Sequence, residues 1–295
     1  MMSMNPLALV LHDHYFQHYC RLTGRSPLFS DLEEVIAAAP SIDPSVHELE
    51  ASGKIVLPLE GINGCLKTTF ACSLSISVET AVDAVKISYR PHKNDGIGDS
   101  EAKNILRSLT SERHNFLSIA GGPVCETILL LAYESAVWAD LLQRSKDLPP
   151  FLLVDRMHDS SVAIQSAVLE SEGLASLETA IPLLTRAYHS IGYPRKTLFL
   201  DFPYEDCKEH ILERQRLADA RDMFTDKDFS FLFKVYRAFT QIVADDSDRF
   251  IRISEPAFAA GWSGRPARQY DMDYLTDRLV QRLRCEYAID FRKAV

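Results

Sequence analysis

The chain has 295 residues, 46% hydrophobic and 25% charged, a composition typical of a soluble globular protein with one large or two small domains. Its formal net charge of −9 argues against a nucleic-acid or membrane partner, although a local basic pocket for a small anion is compatible with it. The six scattered cysteines form no CxxC or Cys/His ligand pair, and no apolar run is long enough to span a membrane, so we expect a cytoplasmic protein without zinc.

Residues 1–50 are predicted to form an N-terminal helical extension that packs on the main domain. Ser30 is the expected cap of one helix, because Glu33 follows three residues later as in a capping box. The stretch from Pro40 to Pro44 then interrupts the helical pattern.

Residues 51–295 are predicted to form one α/β domain. Short continuous apolar runs are typical of strands that are buried on both faces of a parallel sheet. Their alternation with helical patterns predicts βαβ units in a doubly wound parallel sheet of about five strands flanked by helices, with ligands at the carboxyl ends of the strands. The predicted strands are Lys54–Leu59, Ala84–Tyr89, Phe151–Val154, Thr197–Leu200 and Phe250–Ile253, and the predicted helices between them include Thr69–Thr80, Glu126–Arg144, Ser160–Glu170 and Tyr204–Arg216.

The C-terminal part of this domain begins with a predicted loop insertion at residues 255–272, which contains glycine, proline and arginine. Residues 273–287 are predicted to form the C-terminal helix. Leu275, Leu279 and Leu283 are spaced so that they share one face of that helix.

The segment Glu60-Gly-Ile-Asn-Gly-Cys-Leu-Lys-Thr-Thr69 lies between a predicted strand and a predicted helix, which is the setting of a phosphate-binding loop (P-loop). Lys67 is expected to reach the β- and γ-phosphate oxygens of ATP, and the Thr68 hydroxyl to bind Mg²⁺. Leu66 stands where the GxxxxGK[ST] pattern has glycine, and its Cβ is expected to disfavour the loop conformation or crowd the phosphates. The alternative is a strand–turn–helix whose Lys67 caps a surface helix. The expected phosphate-binding residues are Gly61, Asn63, Gly64, Cys65, Leu66, Lys67, Thr68 and Thr69.

Three motifs in this order resemble the thymidylate kinase family. The loop fits the pattern EGxDGxGKTT at most positions, residues Asp155–Gln165 are similar to a DRY-type motif with an SSxAYQ-like run, and residues Leu198–Glu205 are similar to LxLDxPPE. The resemblance covers residues 53–254. It implies a P-loop NTPase fold and the transfer of a phosphoryl group from ATP to a nucleoside monophosphate, with Mg²⁺ as cofactor.

The resemblance also implies roles for residues beyond the loop. Asp155 would hold Mg²⁺ through water or orient the acceptor, and Arg156 would grip the acceptor phosphate, a bidentate task that suits a guanidinium; the alternative is a structural ion pair. Lid arginines Arg214, Arg216 and Arg221 would close over the transferred group; the alternative for Arg214 and Arg216 is that they are ordinary charges of a helix surface. The acceptor-binding candidates are Arg90, Leu131, Ser135, Arg156, Ser161 and Gln165, of which Gln165 has a solvated helix face as its alternative.

Several positions depart from the family pattern. Asn63 replaces an acidic residue beside the acceptor sugar. Leu131, Glu134 and Ser135 stand where the family has a stacking aromatic ring and an Asp-Arg pair, so the base-reading arginine is absent. Since losing the partners built for one base redirects specificity, the sequence favours a nucleotide kinase with an altered base pocket, for dTMP or another nucleotide-like acceptor.

Two other functions stay open beside this kinase. One is a catalytically weak nucleotide-binding relative that acts through a partner, and the other is a P-loop NTPase coupled to a different process, which the run 155–165 disfavours. The expected partners are nucleotide substrates. The resemblance also implies a homodimer through helices Glu126–Arg144 and Ser160–Glu170, although their apolar stripes are equally compatible with a core position.

Overall fold

A parallel sheet occupies the centre of the computed structural model, and its strands overlap the predicted apolar runs. Of the predicted strand Ala84–Tyr89, residues 84–86 and 89 lie outside the described residues. The strands are β1 (Ile55–Glu60), β2 (Ile87–Ser88), β3 (Phe151–Asp155), β4 (Thr197–Asp201) and β5 (Phe250–Ser254), in the order β2-β3-β1-β4-β5. All pairings between these strands are parallel. The predicted doubly wound α/β fold is therefore confirmed. The structure describes residues 6–41, 45–78, 87–88, 99–111, 122–217, 224–254 and 272–287.

The parallel pairings place the carboxyl ends of β1, β3 and β4 at the same edge of the sheet. Leu59 of β1 lies beside both Asp155 of β3 and Leu198 of β4, and Glu60 lies beside Phe199. From Val56 to Glu60 every residue of β1 is buried, as expected for a central strand covered on both faces. The segments that follow β1, β3 and β4 therefore start from one edge of the sheet.

Helices flank the sheet, and the predicted helices differ from the observed ones only at their ends. Over the described residues the helices are α1 (Pro6–Leu22), α2 (Phe29–Ala37), α3 (Ser45–Ala51), α4 (Lys67–Val78), α5 (Glu101–Ser111), α6 (Gly122–Gln143), α7 (His158–Ser171), α8 (Leu177–His189), α9 (Tyr204–Leu217), α10 (Asp226–Asp245) and α11 (Met272–Tyr287). In this described part of the chain, none of them is long and apolar enough to cross a membrane.

The predicted cap at Ser30 is wrong. Helix α2 starts two residues earlier, and its N-cap is Leu28, whose N–H donates to the Asp31 carboxylate over 2.7 Å. The same carboxylate pairs with Arg25 at 2.5 Å. Asp31 therefore takes the position that the sequence pattern assigned to Glu33.

The first three helices cover α6. Helix α1 packs along α6, α2 packs against α6 and α8, and α3 packs against α6 and β1. Tyr15 of α1 is fully buried, and its hydroxyl lies 3.4 Å from the Ser190 hydroxyl after α8. Every residue from Val124 to Ala139 of α6 is consequently buried within the chain. The apolar stripes of α6 are thus core in this structure, and homodimerisation stays a prediction.

Replacing Tyr15 by alanine tests whether α1 belongs to the cooperative core. The change removes a buried aromatic ring, and we expect it to lower the free energy of unfolding by about 3–5 kcal/mol. Val10→Ala on the same helix, where the side chain is 44% exposed, should change it by less than about 0.5 kcal/mol. Urea denaturation compares the two. Equal small effects would show that α1 is an appendage outside the cooperative unit.

Candidate functional site

Two glycines of the loop between β1 and α4 have backbone conformations that favour glycine. Gly61 has φ +140° and Gly64 has φ +87°. A Cβ on Gly64 would lie 2.1 Å from the Cys207 carbonyl oxygen in the first turn of α9, so only glycine fits there. The Gly64 carbonyl oxygen also accepts a hydrogen bond from His210 Nδ1 at 2.9 Å. The loop is therefore clamped between β1 and α9.

Leu66 keeps the left-handed backbone that the missing glycine would favour. Its φ is +60°, which costs a residue with a Cβ about 1–2 kcal/mol. The side chain packs against the hydrophobic core, and this contact offsets part of the strain. The loop therefore keeps this conformation with leucine, at the conformational cost that a Cβ was expected to bring.

Lys67, the first residue of α4, points back into the loop. It is only 7% exposed, and its Nζ donates to the carbonyl oxygens of Gly61 at 2.8 Å and Ile62 at 2.6 Å. Lys67 is therefore not an exposed lysine on the surface of its helix. Burial, and then the nearby charge of Arg156, lowers the pKa of the Lys67 ammonium. The negative charge of the Asp155 carboxylate acts in the opposite direction and raises the pKa of Lys67.

The guanidinium of Arg156, a residue between β3 and α7, also binds this loop. Its Nη1 donates to the Gly61 carbonyl oxygen at 2.9 Å and to Ser160 Oγ at 3.0 Å, while Nη2 donates to Asn63 Oδ1 at 2.5 Å. Its own backbone is left-handed, with φ +70°. Arg156 and Lys67 thus converge on one carbonyl oxygen, that of Gly61, and Arg156 is directed at the loop.

Glu60 is a functional candidate that sequence reasoning missed. It ends β1 with no exposed surface, and its carboxylate accepts hydrogen bonds from the Met157 N–H at 2.7 Å, from the Ser160 N–H at 3.3 Å and from Ser160 Oγ. Burial, and then the negative charge of Asp159, raises the pKa of Glu60 to about 8. The signal in the sequence was a carboxylate that closes an otherwise apolar strand.

A second buried polar cluster joins α6 and α7. The Glu134 carboxylate accepts hydrogen bonds from Ser161 Oγ, from His158 Nδ1 at 2.7 Å and from the Tyr188 hydroxyl at 3.2 Å. Ser161 and His158 are fully buried. Glu134, which falls where the family has the acidic residue of its Asp-Arg pair, is therefore turned into the core here.

The acceptor-binding candidates on α6 and α7 share this burial. Leu131 is 0% exposed and Ser135 is 3% exposed, with the Ser135 hydroxyl donating to a carbonyl of its own helix. Gln165 is 1% exposed; its Nε2 donates to Glu126 at 3.1 Å and its Oε1 accepts from Thr127 at 3.0 Å. The solvated-face alternative for Gln165 is therefore wrong.

The remaining predicted residues lie farther out. Thr68 and Thr69 are exposed on the first turn of α4, and Asp155 is half-buried at the end of β3. Arg214 and Arg216 are exposed on the last turn of α9. Arg90, Arg221 and residues 255–271 of the predicted insertion at 255–272 lie outside the described residues, and Met272 is the first residue of α11. Within the described ranges, no group of three or more His, Cys, Asp or Glu side chains is arranged to hold a metal ion.

The sheet order and the loop define the class of fold, which is that of a P-loop kinase. Among solved structures, the chain is similar to the crystal structure of thymidylate kinase from Ehrlichia chaffeensis, with 16% sequence identity and a TM-score of 0.50. The match covers 78% of this chain and 99% of that one. At this identity the likeness shows a shared kinase-like fold. No family model matches the chain, and no curated protein matches it at the sequence level.

Glu60→Gln tests the buried carboxylate through the pH dependence of stability. The folded-state pKa of Glu60 is raised to about 8, so its protonated form is favoured on folding. That stability is fully present below the unfolded pKa and is lost as pH rises through about 8, on the order of a few kcal/mol. Glutamine keeps an acceptor for Met157 and does not titrate, so we expect it to remove this fall.

Urea denaturation at about pH 5, 6.5 and 8 measures the difference between wild type and variant. Glu33→Gln, on the exposed face of α2, is the matched control and should leave the pH dependence of wild type unchanged. Parallel pH profiles for wild type and Glu60→Gln would contradict the raised pKa.

Proposed function

We propose that the protein is an ATP- and Mg²⁺-dependent phosphotransferase that acts on a nucleoside monophosphate or a nucleotide-like acceptor. The observation that supports this most directly is the convergence of the Lys67 ammonium and the Arg156 guanidinium on the Gly61 carbonyl oxygen. Two cations held at the N-terminus of a helix, at the carboxyl edge of a parallel sheet, form a site for phosphate groups.

The two cations suit the two sides of a phosphoryl transfer. Lys67 belongs to the loop that would bind the donor triphosphate. Arg156 follows β3, which neighbours β1 in the sheet, on the side where an acceptor phosphate would lie. Phosphoryl transfer depends on positioning and on neutralising charge. Each cation would exchange neutral carbonyl or amide oxygens for anionic phosphate oxygens, which form stronger hydrogen bonds.

The oxygen donors near the loop fit a hard cation. The exposed Thr68 hydroxyl and the Asp155 carboxylate would hold Mg²⁺, together with phosphate oxygens and water. The negative charge of Asp155 already acts on the Lys67 ammonium. Bound Mg²⁺ would neutralise charge on the donor phosphates, and lid arginines Arg214, Arg216 and Arg221 would close over them.

The base of the acceptor would be read differently from the pattern of the thymidylate kinase family. Leu131, Ser135, Ser161 and Gln165 are buried, and the polar ones bond within the chain. A base would have to displace these bonds to be read by them, which costs the desolvation of each group. Recognition through the phosphate, with dTMP as one acceptor among several, is the reading that these contacts favour.

A catalytically weak nucleotide-binding protein is the second candidate. The burial of the acceptor-binding candidates on α6 and α7 favours it, as does the Cβ of Leu66 in the phosphate loop. Such a protein would bind a nucleoside triphosphate and act through a partner without turnover.

Lys67→Ala and Arg156→Ala test the enzyme. Removing one charge that stabilises the transferred group should lower acceptor-dependent ADP formation about 10²- to 10³-fold. Lys227→Ala, at an exposed lysine of α10, is the control and should retain wild-type turnover. A coupled assay of ADP release with a panel of nucleoside monophosphates, dTMP included, measures the rates. Absence of acceptor-dependent ADP from wild type across the panel would count against the kinase.

Leu66→Gly separates the two candidate functions. Since the loop already holds the left-handed conformation with leucine, we expect glycine to change the affinity for MgATP by less than about tenfold and to leave turnover within the same range. Calorimetry with MgATP and the ADP-release assay provide the two readouts. Turnover that appears only in the glycine variant would identify the natural chain as the weak binder.

A further inference from the structure

The start of α7 lacks a cap of its own. Its N-cap residue is Met157, which makes no side-chain hydrogen bond to the first turn. The N–H groups at the start of the helix bind a residue of another element instead: the Glu60 carboxylate of β1 accepts from the N–H groups of Met157 and Ser160. A side-chain oxygen that accepts from the first N–H groups of a helix is the usual form of an N-cap. Glu60 thus caps a helix that begins far along the chain.

Ser160 joins this cap to the guanidinium of Arg156. Its hydroxyl donates to the Glu60 carboxylate and accepts from Arg156 Nη1 at 3.0 Å. The same Nη1 donates to the carbonyl oxygen of Gly61, the residue that follows Glu60. A closed ring of hydrogen bonds therefore runs from the end of β1 through α7 and Arg156 back to the phosphate loop.

Arg156, which belongs to this ring of hydrogen bonds, has a strained backbone. Arg156 has φ +70°, and a backbone of this kind persists only where the surroundings over-determine it. Three contacts do so: the Arg156 N–H donates to Leu59 of β1 at 3.2 Å, the next N–H donates to Glu60, and the guanidinium is held by Ser160.

We infer that Ser160, itself held by Glu60, is a positioning residue that orients the Arg156 guanidinium against the phosphate loop. Ser160 has no exposed surface, so it acts through Arg156 rather than on a ligand directly. Its effect on the ligand-free loop is independent of any reaction. The further step, that it sets how Arg156 meets an acceptor phosphate, rests on the proposed function.

The same helix supplies a matched control. Ser166 is also a fully buried serine of α7, and its hydroxyl has no hydrogen-bond partner in the described part of the chain. Ser166→Ala removes the same atom from the same helix without opening the ring. Ser160→Thr, which keeps a hydroxyl, tests rescue.

Hydrogen–deuterium exchange of the ligand-free protein measures the positioning itself. Ser160→Ala should speed exchange of the Arg156 and Met157 amides about tenfold or more, the effect of losing a hydrogen bond to a charged group, while Ser166→Ala leaves both amides as in wild type. Ser160→Thr should restore slow exchange. Equal exchange in the two alanine variants would overturn the inference.

A double-mutant cycle separates positioning from a structural role. With dTMP as the probe in the presence of Mg²⁺, Ser160→Ala should weaken binding about tenfold in the wild-type background and less than about twofold when Arg156 is already alanine. Equal losses in both backgrounds would assign Ser160 a structural role only. If wild type binds neither dTMP nor MgATP, the proposed function fails, and the exchange experiment alone decides the positioning of the loop.

Discussion

The first turn of α7 is the constraint on which the site depends. Four consecutive polar residues there are at most 2% exposed, and a buried polar group without a partner is costly. Their partners come from separate parts of the fold, so the turn can be satisfied only when those parts are in place. The pairs are His158 and Ser161 with Glu134 of α6, Ser160 with Glu60 of β1, and Asp159 with Arg249 just before β5.

Arg249, the partner of Asp159, is held by several contacts of its own. Both carboxylate oxygens receive a guanidinium nitrogen of Arg249 at 2.7 Å, in the bidentate geometry that arginine favours. The guanidinium carbon lies 4.4 Å from the ring centroids of Tyr193 and Phe250. With so rigid an anchor on one side and Glu60 on the other, the corner between β3 and α7 has little freedom, and Arg156 lies in that corner.

The sequence predicts the parts of this site that are local. Continuous apolar runs identify the strands, and the spacing of Gly61, Gly64 and Lys67 identifies the loop, because each signal lies within a few residues. The bonds that orient the loop are not local: Glu60 and Ser160 are 100 residues apart in the chain. The burial of Leu131 and Gln165 likewise depends on how helices pack around α6, which periodicity within one helix does not reveal.

Backbone strain ties the loop and the corner together. Leu66 and Arg156 are the non-glycine residues with positive φ in the described part of the chain. Arg156 donates to the Gly61 carbonyl oxygen, and so does Lys67, which follows Leu66 in the chain. Strained residues of this kind cluster at functional sites, since an unconstrained chain would relax them. A strand–turn–helix with only a structural role would have no need to hold two such residues beside the buried Lys67 ammonium and the half-buried Arg156 guanidinium. The strain therefore favours a loop that is held ready for a phosphate.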